Sequence, residues 1–220
     1  MHFLQKLKSK IFRRPGKGTI WVSALVVLFS FLPVGGEGPL DVYREAVGSL
    51  QEKRILAYAR ACILHELDSD STMPENPVGT GEFPVTGMYL TLMKGRDVRA
   101  CVGRFSPPSS DPVKSVGALA KEVVYYDTRN RPLSLHEMAG LSLVISFVGT
   151  RKEISDPYAV DFSTEGLYIA QEGRHAVLLP GETKTLDYGI KKLMAQNGVR
   201  SGGPVSYAVF SVVAFDERRW

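Results

Sequence analysis

The sequence predicts an α+β fold, and three observations carry that expectation. Two pairs of apolar segments are each joined by a short glycine-containing turn, at Lys94-Gly95-Arg96-Asp97 and at Glu172-Gly173, which is how antiparallel neighbours are connected. Other stretches place apolar residues three and four apart, the spacing of an amphipathic helix. Hairpins mixed with helices argue against a doubly wound parallel sheet.

The elements follow in order. From Leu40 to Leu67 the pattern is helical with a break near Gly48-Ser49, and Ile55, Leu56, Ala59, Cys62, Ile63 and Leu67 share one face. Residues 68–82 are a loop rich in Ser, Asp, Pro and Gly. Met88–Met93 and Val98–Val102 read as the two strands of a hairpin. Asp111-Pro112 has the residue types of a helix N-cap and first turn, ahead of the apolar positions Val113, Val116, Leu119, Ala120, Val123 and Val124. Ser134-Leu135-His136-Glu137 has the spacing of a capping box. Leu141, Leu143, Ile145 and Phe147 alternate with Ser142, Val144, Ser146 and Val148, as in a strand buried largely on both faces. Gly166–Ala170 and His175–Leu179 form the second hairpin; a helix bearing Leu186, Ile190, Leu193 and Met194 ends at Asn197-Gly198; Val205–Phe215 is a closing strand.

The chain has 220 residues, enough for one domain with a full core, and its 44% hydrophobic and 23% charged content is that of a globular protein. Its formal charge of +4 is unevenly spread. Residues 1–36 hold Lys6, Lys8, Lys10, Arg13, Arg14 and Lys17 and no acid, so the remainder is net acidic. A nucleic-acid partner is therefore not expected, because binding a phosphate backbone needs clustered cations on the domain itself. The basic head precedes an uncharged stretch, Thr19–Val34. That pattern predicts export, with residues 1–36 a signal peptide cut after Gly36 or an anchor in the cytoplasmic membrane formed by residues 18–36. As a helix Thr19–Val34 spans roughly 24 Å, short of the roughly 30 Å hydrocarbon core. The domain would then lie in the periplasm or another extracytoplasmic space. Residues 37–44, beginning Glu37-Gly38-Pro39, read as a linker and residues 45–220 as the domain.

Export bears on the two cysteines. In an oxidising compartment Cys62 and Cys101 have one pairing open to them, while the helical stripe around Cys62 makes it a packed apolar residue instead. Val98-Arg99-Ala100-Cys101-Val102-Gly103 is the segment that reads most like a site. A cation beside a thiol favours the thiolate, and a glycine lets backbone or ligand approach closely. Asp127-Thr128-Arg129 places a carboxylate and a guanidinium at a helix end, to face a ligand or to tie the helix to the next loop. Histidines 65, 136 and 175 are each candidates for a base, with no ligand spacing among them, and Asp68, Asp70 and Glu75 lack the EF-hand spacing. No metal or other cofactor is expected, and no phosphate loop or nucleophile elbow is present in the sequence.

Taken in order, these residues resemble the AMMECR domain family. The carriers are Gly87–Leu92 followed by Arg99-Ala100-Cys101-Val102-Gly103 for the family's Arg-Gly-Cys-Ile-Gly run, Ala59-Arg60, Asp127-Thr128-Arg129 with Pro132-Leu133, Glu165-Gly166-Leu167, Val177–Pro180 and Gly198. The resemblance covers roughly residues 45–215. It implies a larger α/β lobe and a smaller β lobe, with the cysteine motif lining a cleft between them, and association with Memo-type and radical-SAM partners in an AmmeMemoRadiSam system. Four positions depart from the pattern: Ala100 for the motif's glycine, Asn130 for an aromatic, Val144 where relatives often carry glutamate, and Gly181 where a glutamine commonly follows Leu-Pro.

Two functions follow as expectations. The first is a binding module whose cleft, lined by Arg99, Cys101, Gly103, Asp127 and Arg129, takes a small ligand or a partner. The second is an enzyme in which Cys101 is the nucleophile or redox thiol and Arg99 lowers its pKa.

Overall fold

The computed structural model describes residues 38–76, 84, 86–127, 130–199 and 203–220. The predicted export segment lies outside these residues. Among the described residues no helix is long and apolar enough to cross a membrane.

The helical stretch breaks where the sequence places the break. Helix α1 (Asp41–Ala46) ends at Val47, and α2 (Leu50–Leu67) starts behind Ser49, whose hydroxyl accepts from the N–H groups of Gln51 and Glu52. Such a cap satisfies donors that a first helical turn leaves unpaired. Strands β1 (Gly87–Lys94) and β2 (Asp97–Arg104) form the first hairpin, with Thr91 opposite Cys101. Helix α3 (Pro112–Tyr125) is capped by Asp111, and a 3-10 turn spans Leu135–Gly140. Strands β3 (Ser142–Val148) and β4 (Lys152–Ile154) precede the second hairpin, β5 (Glu165–Gln171) and β6 (Arg174–Leu178). Helix α4 (Leu186–Gln196), strand β7 (Ser206–Asp216) and a 3-10 turn at Glu217–Arg219 complete the chain. The three-residue β4 has no signal in the sequence, being too short to show a period.

These strands make one curled, fully antiparallel sheet in the order β2-β1-β3-β7-β5-β6, with β4 beside the first half of β7. Alternation sorts the side chains to two faces. On the convex face Leu90, Leu92, Ala100, Ile145, Phe147, Val213 and Phe215 join the residues of α1, α2 and α3 in the larger core. Tyr43 of α1 stacks on Phe147 at 3.8 Å between ring centroids. On the other half of the convex face Leu167, Ile169, Ala176 and Leu178 pack under Ile190 and Leu193 of α4 in a smaller core. The concave face holds a third cluster of Tyr89, Val148, Leu179, Phe210 and Val212. The fold is α+β as expected, with its larger and smaller parts built on one continuous sheet. The smaller part carries a helix as well as strands.

The sheet runs between the two cysteines. Cys62 lies in the larger core, Cys101 packs against the concave cluster, and both are free thiols. The bridge left open by the sequence is therefore not formed. Burial pushes the Cys62 thiol pKa up, as expected of a packed apolar residue.

Glu52 is fully buried and ties the first long helix to the end of the sheet. Its Oε2 accepts from Gly48 N–H at 2.6 Å, and its Oε1 accepts from Asp216 N–H at 2.9 Å and Arg219 Nη1 at 2.8 Å. Removing one partner of a buried pair strands the other groups. Glu52→Ala is expected to cost about 3 kcal/mol of unfolding free energy, read by urea denaturation, with Glu52→Gln losing less because its carbonyl still accepts.

Candidate functional site

The two ends of the strand order, β2 and β6, do not meet. A pocket of about 350 Å³ lies between them, walled by Cys101 and Gly103 of β2, His175 and Val177 of β6, Glu122, Tyr126 and Asp127 at the end of α3, Leu193 of α4, and Asn197, which follows α4. An edge strand leaves backbone donors unpaired. Here the outward N–H of Cys101 donates to Asp127 Oδ2 at 2.9 Å, and the amide of Asn130 donates to the same oxygen at 3.3 Å. Asp127 thus caps the edge of the sheet and ties α3 to the following loop. Gly103 has its own packing reason, because a Cβ there would collide with the Tyr89 ring opposite it.

Arg99 sits at a bulge, where the pairing passes from Leu92 opposite Ala100 to Met93 opposite Val98, and its guanidinium turns to the 3-10 turn. Its Nε donates to Glu137 Oε1 at 2.9 Å, and its Nη2 donates to Glu137 Oε2 at 3.1 Å and to the carbonyls of Arg131 and Pro132. Arg104 pairs with Glu122. Arg129 lies outside the described residues. His65 Nδ1 sits 2.6 Å from the Ser71 carbonyl at the end of α2, and His136 is exposed on the 3-10 turn. Of the three candidate histidines, His175 is the one that lines the pocket with Cys101.

Three residues that sequence reasoning did not single out surround the thiol. Thr91 Oγ1 lies 3.3 Å from Cys101 Sγ and 3.5 Å from Glu182 Oε1, while Leu179 N–H donates to Glu182 Oε2 at 3.1 Å. Tyr89 lies against Gly103, and burial raises its hydroxyl pKa, with the Cys101 thiol adding to the rise and the Arg151 guanidinium opposing it. Position 91 reads as an ordinary strand residue in a linear sequence, and Glu182 as a loop acid. Val144 and Gly181, remote in the chain, line one niche with Thr91 and Glu182. Two departures from the family pattern therefore converge, and Glu182 supplies a carboxylate to the niche that Val144 lines. Ala100 faces away into the helical core, where it is 1% exposed.

The site can hydrogen-bond and pack a ligand through a thiol, carboxylates, an imidazole and phenols. Among the described residues no group of three His, Cys, Asp or Glu is arranged to hold a metal ion.

Two predictions follow from these contacts. The Arg99 guanidinium, with the Ser134 N–H and hydroxyl, holds the Glu137 carboxyl well below the usual range, down to about 2. The contribution of that pair to stability is present above the unfolded carboxylate pKa of about 4.3 and lost as pH falls toward 2. Acid unfolding midpoints are expected to shift less in Arg99→Gln than in the parent between those pH values. The Thr91 hydroxyl has one proton for two acceptors, so a thiolate at Cys101 competes with ionised Glu182. Glu182→Gln is expected to speed iodoacetamide alkylation of Cys101 at neutral pH roughly threefold, and Thr91→Val to slow it.

The model of the AMMECR1 family matches residues 56–215. Among curated proteins no relative matches. The crystal structure of an uncharacterised protein from Pyrococcus horikoshii superposes with a TM-score of 0.58 at 17% sequence identity, covering 74% of this chain and 90% of that one. At that identity the likeness speaks for the fold alone. With the helices, curled sheet and cysteine-bearing edge strand in place, the match over most of the chain makes this protein a member of the AMMECR1 family.

Proposed function

We propose that this chain is a binding module, exported or membrane-anchored through its N-terminal segment, whose pocket between β2 and β6 receives a small ligand. The carrying observation is the pocket itself, about 350 Å³ at the unclosed side of the sheet with polar groups converging on apolar walls. Such concavities are where small molecules bind. The engagement of Arg99 by Glu137 and of Arg104 by Glu122 supports binding over thiolate chemistry, because the arginines nearest Cys101 in sequence are committed elsewhere.

One observation favours the second reading. His175 lines the same pocket as Cys101, so an imidazole is present to take the thiol proton while the sulfur attacks an electrophile. Memo-type and radical-SAM partners belong to the proposal through the family resemblance alone.

Native mass spectrometry of protein recovered from its own cells tests both readings. A binding module should carry a noncovalent small molecule that Cys101→Ser retains and Val177→Trp, which fills the pocket, loses. A covalent adduct on Cys101 that Cys101→Ser abolishes would replace the module with the enzyme. The same spectrum reports the N-terminus: a chain beginning near Glu37 supports cleavage, whereas an intact chain in the soluble fraction sinks export.

A further inference from the structure

Arg151 stands apart from the arginines of β2 and of the turn after β7. Arg99, Arg104 and Arg218 are paired with Glu137, Glu122 and Asp216. Arg151, exposed between β3 and β4, forms neither an ion pair nor a hydrogen bond with any described residue. It is held by rings instead. Its guanidinium carbon lies 4.6 Å from the Phe105 centroid and 4.5 Å from that of Tyr168. The two rings stand at 81° with centroids 5.8 Å apart, so the guanidinium occupies the corner between them.

The corner is fixed from behind. Phe105 meets Tyr89 and Phe210 edge-on, at 5.8 Å and 4.9 Å, and Tyr168 stacks on His175 at 5.9 Å. Rings at 81° can meet a planar guanidinium face-on only one at a time, and ring contact does not use up its five N–H donors as a carboxylate would, so the exposed Arg151 keeps donors for an acceptor. A planar fork with open donors is the geometry that takes a carboxylate or phosphate through two parallel hydrogen bonds. Because the rings already fix the side chain, less of its rotamer freedom is lost on binding. The corner also adjoins the thiol: Phe105 and Cys101 pack on the same concave cluster, and Tyr89 lies between Cys101 and Phe105.

We propose that Arg151 receives the anionic group of the ligand, a carboxylate or phosphate, with the body of the ligand extending past Tyr89 toward Cys101. The proposal rests on the binding-module reading and names the chemical class of what the pocket takes. The test compares alkylation of Cys101 in the full-length protein by iodoacetate, an anion, and by iodoacetamide, its neutral counterpart, with the labelled cysteine identified by peptide mass. In Arg151→Gln the iodoacetate rate is expected to fall about threefold while the iodoacetamide rate holds. Inorganic phosphate is expected to slow iodoacetate at Cys101 in the parent and to have no effect in Arg151→Gln. An unchanged ratio of the two rates in Arg151→Gln overturns the anion site and leaves the module standing. A Cys101 that iodoacetamide cannot reach in the native protein overturns both, because the pocket would be closed.

Discussion

Strand β7 is shared by both halves of the sheet, and its divided pairing sets the shape of the molecule. Val212–Asp216 pairs with β3, whereas Ser206–Ser211 pairs with β5, and β4 covers Tyr207–Val209 on the side that β3 occupies further along. Where the partners change over, side chains are removed to let the backbones close. Gly166 lies under the Phe210 ring, and a Cβ there would overlap it. Twisted antiparallel strands hydrogen-bonded through one long common strand curl, and a curl that stops short of closure leaves two edges facing across a gap.

That gap explains why the conspicuous residues are where they are. An open edge needs its outward donors satisfied, and Asp127 does this for Cys101. The carboxylate that reads as a ligand contact in the sequence is thus a substitute for a missing neighbouring strand. The thiol itself projects to the concave side, beside Thr91 and in line with Tyr89, because strand alternation gives it no other choice once Ala100 and Val102 are committed to the helices. Charges near it are organised in separate pairs: Arg99 with Glu137 fastens β2 to the 3-10 turn, and Arg104 with Glu122 fastens it to α3.

Much of the architecture was legible in the residues. Three- and four-residue spacing located α2, α3 and α4, and the glycine turns located both hairpins. The mostly apolar run at Leu143–Val148, broken only by Ser146, marked the strand that is buried on both faces, between the helices and the concave cluster. Those signals survive in a linear sequence because they express local periods of 3.6 and 2 residues. The three-residue β4 escaped because a period cannot show in so short a segment. The cysteine motif and the departures at Val144 and Gly181 were legible as well, though nothing local said that the latter two meet.

Local sequence fixes which way a Cβ points in a regular strand, and so Cys101 and Gly103 share one face, whereas the bulge at Arg99 interrupts the alternation. Where a long side chain ends is a different matter. The Arg99 guanidinium is several rotatable bonds from its strand and goes to the best acceptor in reach, a carboxylate presented by a turn nearly forty residues on, at Glu137. His175, Glu182 and Arg151 come to the thiol's side of the sheet from three further segments, brought there by the pairing of β5 and β6 with β7 and by the closeness of Phe105 to Tyr168. The chain's order of residues carried the elements, their faces and the family; the partners of each charged group were settled by contacts between distant segments, which exist only once the curled sheet has formed.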